Sequence, residues 1–153
     1  MTATAFGLDE LVAHRPPMRL LDRMIEISAE GAVAETIVRD NNPLFVPGRG
    51  LPAYAGLEMM AQAIAAIDGI KRNMDGLPPK IGFLLGCRRY SVRCADFEEG
   101  SRLRVAAKMV FSDGEMFSFE CSIDGEDGVQ IARANMNVYA PTNPQAYLKD
   151  GVA

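Results

Sequence analysis

Histidine is nearly absent from the sequence: His14 is the only one in 153 residues. That excludes a histidine-based metal cluster, which needs several imidazoles converging on one ion. Cysteine is almost as sparse. Cys87, Cys94 and Cys121 are odd in number and fit no zinc or haem spacing. Buried free thiols in a reducing compartment are the expectation for them. A basic excess is also missing, the net charge being −4, which removes nucleic-acid binding, since phosphate recognition needs a basic face. No apolar run approaches the length that crosses a bilayer. Met1 to Gly7 lacks a basic stretch followed by an apolar core, so no secretory signal and a cytoplasmic location are expected. Repeats and linker-like stretches are absent, so residues 1–153 are read as one domain.

What is present is the composition of a globular chain, 48% apolar and 24% charged, in a length sufficient to bury a core without staples. Residues 8–14 read as a short helical lead-in stopped by Arg15-Pro16-Pro17, because proline cannot continue a helix. Leu20, Leu21, Met24, Ile25 and Ile27 predict a strand over 18–27. After Glu30-Gly31 a second strand follows over 32–39, making a hairpin. A loop rich in Asn, Pro and Gly runs from Asp40 to Pro52.

From Tyr54 to Arg72 the pattern changes. Leu57, Met60, Ala61, Ile64 and Ile67 recur in steps of three and four, the spacing of a helix. It is apolar around most of its circumference, which predicts burial on nearly all sides. Strands are then expected at about 80–92, 101–111, 115–124 and 129–139, separated by Glu99-Gly100, Ser112-Asp113-Gly114 and Asp124 to Gly128. Short turns imply antiparallel pairing. The order of two strands, one buried helix and four strands predicts an α+β fold in which a six-stranded antiparallel sheet wraps one long central helix.

Two stretches resemble the 3-hydroxyacyl-acyl-carrier-protein dehydratases. His14-Arg15-Pro16-Pro17-Met18-Arg19-Leu20-Leu21-Asp22-Arg23 is similar to that family's His-Arg-x-Pro-x-Leu-Leu-Asp-Arg opening. Leu57-Glu58-Met59-Met60-Ala61-Gln62-Ala63 resembles its Glu-Ala-Met-Ala-Gln helix, and Gly82 to Tyr90 is a third, weaker match. The matches keep the family's order over most of residues 8–110. Leu51-Pro52-Ala53-Tyr54 resembles a divergent branch, the dehydratase-like proteins of aryl polyene biosynthesis. The resemblance implies a dimeric hotdog fold, no cofactor and no metal. It also implies an acyl chain held as a thioester on an acyl carrier protein or coenzyme A.

Dehydration of a 3-hydroxyacyl thioester needs a base for the proton beside the carbonyl, an acid for the departing hydroxyl and donors for the enolate-like oxygen. By resemblance, Glu58 is the helix carboxylate that works on the hydroxyl. Gln62 lies one turn on, sharing its face; with Tyr54, Ala53 and Gly56 at the helix start it is expected to touch substrate. A glutamate near the start of so apolar a helix is costly if buried without purpose, although a solvated carboxylate favouring the helix dipole reads the same in sequence.

The family's catalytic histidine sits in a His-Phe-Pro-Gly loop before the helix. Here that stretch reads Leu44-Phe45-Val46-Pro47-Gly48-Arg49-Gly50, without histidine. His14 matches the non-catalytic opening, and the expectation for it is a cap on the lead-in helix or a bond to backbone. Arg88, Arg89, Arg93, Arg102 and Arg104 are expected around one strand pair, either as a solvated face or facing an acidic carrier protein. Three readings follow. The chain is a dehydratase, pairing as a homodimer or with a related, histidine-bearing subunit; or a hotdog thioesterase using its helix carboxylate; or a non-catalytic acyl-binding subunit.

Overall fold

In the computed structural model, residues 7–78 and 83–139 are described, with side chains from Gly86 onward in the second stretch. A short helix α1 (Leu8–Leu11) precedes the hairpin of β1 (Arg23–Ile27) and β2 (Gly31–Ile37). A two-residue strand β3 (Leu51–Pro52) leads into the long helix α2 (Ala55–Met74). Then come β4 (Phe83–Val92), the short β5 (Asp96–Phe97), β6 (Arg102–Asp113), β7 (Met116–Asp124) and β8 (Gln130–Tyr139). Six strands form one antiparallel sheet in the order β1-β2-β6-β7-β8-β4, while β3 pairs with β5 apart from it. This is the expected sheet and helix; the expected strand residues 80–82 lie outside the described residues.

Alternation builds the core. Along β6, Leu103, Val105 and Ala107 are buried while Arg102, Arg104 and Lys108 are exposed. Phe119, Cys121 and Ile123 of β7 and Ala132, Ala134 and Met136 of β8 continue the same buried face. α2 lies across it, packing chiefly on β6, β2 and β7. Met59, Met60 and Ile67 are fully buried there, each such side chain contributing about 1.5–3 kcal/mol of transfer free energy. Lys71 and Arg72 in the last turn favour the helix dipole. The helix ends where the N–H groups of Gly76 and Leu77 return to the carbonyls of Asn73 and Arg72.

Four expectations are corrected. The first strand starts at Arg23 rather than at residue 18, because Met18 and Arg19 turn back onto the Arg15 carbonyl and Leu20 is tied to α2. α2 is not covered on all sides. The sheet screens one side only, so Leu57, Glu58, Ala61, Ala65 and Asp68 form a half-buried stripe along the other. The arginines do not share a strand pair. Arg88 and Arg89 lie on edge strand β4, whereas Arg102 and Arg104 lie on β6, with β7 and β8 between them; β6 pairs back with β2, a connection that local turns do not reveal. Finally, only Cys121 of the three free thiols is buried; Cys87 is exposed and Cys94 half-buried.

Candidate active site

Glu58 is in the first turn of α2, with its side chain 45% exposed on the half-buried stripe. Beneath it lies Gln62, which is fully buried. The Leu20 N–H donates to Gln62 Oε1 at 2.8 Å, and Gln62 Nε2 donates to the Met18 carbonyl at 2.9 Å and to Glu58 Oε1 at 3.0 Å. The opening segment is thus fastened to the helix through one amide. Its other attachments are to β2: Thr36 Oγ1 donates to the Leu20 carbonyl at 2.7 Å, and the Ile37 N–H donates to Asp22 at 2.7 Å.

That fastening carries His14 to the site. Its Nε2 stands 3.5 Å from Glu58 Oε1, and its Nδ1 is buried with no hydrogen-bond partner among the described residues. The imidazole therefore neither caps α1 nor bonds to backbone, which corrects the expectation from the opening motif. Arg15 serves those carbonyls instead, donating to Val12 and Asp9.

The remaining expected site residues fall elsewhere. The Ala53 carbonyl accepts from Tyr90 Oη at 2.5 Å and from the Gly56 N–H at 3.0 Å. Gly56 is buried against β4 and β7, where an added Cβ would meet Tyr90 Oη at 2.3 Å. Burial pushes the Tyr90 hydroxyl up to about 12, so it remains a donor at neutral pH. Tyr54 is 61% exposed and makes no side-chain capping bond to α2. Glu58 and Gln62 thus face the opening segment, whereas Ala53 and Gly56 face β4. His14 and Tyr90 are the residues that sequence reasoning missed; the signal for His14 was a motif segment rich in polar residues yet followed by two buried leucines.

The loop before α2 is tightly built. Arg49 forms a forked pair with Asp96, at 2.9 and 3.3 Å, fixing the loop to β5. Gly50 has φ +113, and an added Cβ would lie 2.3 Å from the Phe97 carbonyl oxygen, so only glycine fits. Thiol chemistry has no support here: burial pushes all three cysteines up, Cys121 to about 12. No group of metal-binding residues occurs among the described residues.

Comparison with known proteins fits this geometry. The profile of the ApeP-like family, described as ApeP dehydratase, matches residues 6–149. The 3-hydroxyacyl-[acyl-carrier-protein] dehydratase FabZ of Anaeromyxobacter dehalogenans (strain 2CP-C) is 30% identical over 133 residues, 84% of either chain. A chain of the dehydratase heterocomplex ApeI:P from Xenorhabdus doucetiae superposes with a TM-score of 0.86 at 27% identity, covering 95% of this chain and 97% of that one. The E. coli PaaI protein of the phenylacetic acid degradation operon shares the fold, with a TM-score of 0.60 at 13% identity over 76% of this chain and 80% of its own.

Proposed function

Because the chain belongs to the ApeP-like dehydratase family, we propose that it supplies the acid half of a composite 3-hydroxyacyl-thioester dehydratase site, with Glu58 as the acid. One observation carries this. Glu58 is held from below by Gln62 yet stands on the open stripe of α2, while the loop leading to the helix contains no histidine. The acyl group is carried on an acyl carrier protein, the substrate class named for the FabZ relative, and the reaction belongs to polyene acyl-chain assembly.

In this reading the protonated Glu58 gives its proton to the C3 hydroxyl, the C3–O bond breaks and water leaves. A base takes the C2 proton, and the C2–H electron pair becomes the C2–C3 double bond. Glu58 is left as carboxylate and the base protonated, and exchange with solvent resets both. The base comes from a histidine-bearing, related subunit seated over the α2 stripe. Leu57, Ala61 and Ala65, half-buried in the single chain, are the apolar surface such a subunit would cover. The ApeI:P structure is a dehydratase heterocomplex, which supports pairing of unlike chains. Related hotdog chains exchange partners readily where sheet edges join through backbone pairing.

The test is complementation. The chain is assayed on 3-hydroxybutyryl-acyl-carrier-protein alone, then mixed with a histidine-bearing dehydratase whose own helix carboxylate has been removed. Turnover in the mixture only is the expected result. Full dehydration by the chain alone would place the base inside its own dimer. Release of a free acid in place of an enoyl thioester would make it a thioesterase, and inactivity in every mixture would leave only acyl binding.

A further inference from the structure

The opening segment and α2 converge on a single carboxylate oxygen. The orientation of the Gln62 amide is dictated by its backbone partners. Leu20 presents an N–H, so the atom 2.8 Å from it must be the acceptor Oε1. Met18 presents a carbonyl, so the atom 2.9 Å from that must be the donor Nε2. The second N–H of Nε2 then points to Glu58 Oε1 at 3.0 Å. An amide nitrogen has no lone pair to accept with, so Glu58 Oε1 can only accept, whether the carboxyl is ionised or protonated. His14 Nε2 approaches the same oxygen at 3.5 Å, and no described residue bonds to Oε2. The imidazole is held there by Leu11 and Val12 before it, both buried, and by the turn of Arg15 to Arg19 after it.

We propose that His14 and Gln62 are positioning residues that reserve Oε1 of Glu58 as an acceptor, so that the proton spent on the departing hydroxyl is carried on Oε2. This rests on the reading of Glu58 as the acid. Gln62 fixes one side of Oε1 from inside the core, and His14 Nε2 stands 3.5 Å from the same oxygen on its surface side. A carboxyl held by one hydrogen bond can rotate and present either oxygen; the Gln62 hydrogen bond together with the 3.5 Å approach of His14 Nε2 keeps Oε1 turned inward. That removes the half of the encounters in which the proton would sit against Gln62 and be unavailable. It also makes the lone histidine useful without making it the base, since its Nε2 faces Glu58 at 3.5 Å and its Nδ1 is buried.

The test has two arms. In the first, difference infrared spectra of the purified chain against Glu58→Gln, followed through an acid titration, isolate the C=O stretch of the Glu58 carboxylic acid without any turnover. The parent band lies at the low frequency of a carbonyl accepting hydrogen bonds; His14→Ala moves it up and His14→Gln, which restores an N–H at the same reach, returns it. A band unmoved by His14→Ala overturns the proposal. In the second arm, the chain complexed with the histidine-bearing partner turns over 3-hydroxybutyryl-acyl-carrier-protein. His14→Ala lowers kcat on the order of 100-fold with KM unchanged, the effect of a displaced reacting group, and His14→Gln recovers most of the loss. Equal loss in both variants together with a lowered Tm would assign His14 to packing and overturn the proposal, as would a full kcat in His14→Ala. If the parent complex leaves the substrate untouched, the dehydratase reading fails while the infrared arm still decides how Glu58 is held.

Discussion

At the scale of single residues, a carboxylate and the groups beneath it perform separable work. Glu58 is half-exposed, and among the described residues Gln62 donates to it while His14 Nε2 approaches to 3.5 Å. Glu58→Gln keeps the shape and removes the acid, so turnover of the mixed complex should fall about 10²–10⁴-fold, while Tm holds. Retained turnover would show that another group protonates the hydroxyl. Gln62 behaves in the opposite way. Its replacement by Leu leaves the buried Leu20 N–H without an acceptor and the Met18 carbonyl without a donor, at a cost of about 2 kcal/mol. Urea unfolding of Gln62→Leu should therefore shift to a lower midpoint with an unchanged slope, and a neutral result would mean the opening segment is held mainly by Thr36 and Asp22. Glu58 was singled out in the sequence because Leu57 to Ala63 resembles the dehydratases' helix motif, whereas its charge in an apolar helix reads equally as a solvated carboxylate. The partnership with His14 was not, because 44 residues separate them and only the turn at Arg15 brings them together.

At the scale of elements, two contacts decide how strands and helices are joined. Gly69 is where α1 and α2 touch backbone to backbone: an added Cβ would lie 1.7 Å from the Leu11 carbonyl oxygen. Gly69→Ala must push α1 away, which should cost about 1–3 kcal/mol and expose residues 8–14 to proteolysis; a parent-like cleavage rate would mean that α1 can shift without penalty. On the outer side, Glu35 of β2 is buried between Arg23 of β1, at 3.2 Å, and Arg102 of β6, at 2.9 Å. The hydrogen bond from Arg23, aided by the charges of both arginines and opposed by burial, holds its carboxyl below the ordinary 4.5. A carboxyl depressed in the folded state contributes stability that is complete above its unfolded value and lost as pH falls through its folded one. Stability should thus decline as pH drops below about 4.5, and the decline should be shallower in Glu35→Gln. Parallel pH profiles for the two proteins would remove Glu35 from the account.

At the scale of the whole molecule, the half-buried stripe of α2 and the outer edges of β1 and β4 are what the described residues leave uncovered. A helix with Leu57, Ala61 and Ala65 half-open beside an ionisable Glu58 is better satisfied under a second subunit, which would also exclude water from the carboxyl and strengthen its interactions. Light scattering of the chain at micromolar concentration should give twice its 16.6 kDa mass. Titration with the histidine-bearing dehydratase should replace that species by a mixed complex visible in native mass spectrometry. A chain that stays monomeric in both experiments would place the missing base outside any paired subunit.

The sequence by itself determined the order of the main elements and the α+β class, and its family resemblance singled out Glu58 as the candidate carboxylate. The elements are written in local pattern, alternation for β6 to β8 and steps of three and four for α2, and Glu58 in a stretch similar to the family's helix motif. Only the tertiary structure decided which strands neighbour one another, which side of α2 remains open and which residues surround Glu58. β6 pairs with β2 and not with the edge strand β4, so arginines that look adjacent along the chain are separated by β7 and β8. Gln62 is a support for Glu58 in the fold because its amide is consumed by Met18 and Leu20, more than 40 residues earlier. Hydrogen bonds of that range leave no periodicity in the sequence. They arise only when the opening segment is turned back and pressed against the helix, and that is the event that places His14 beside the carboxylate.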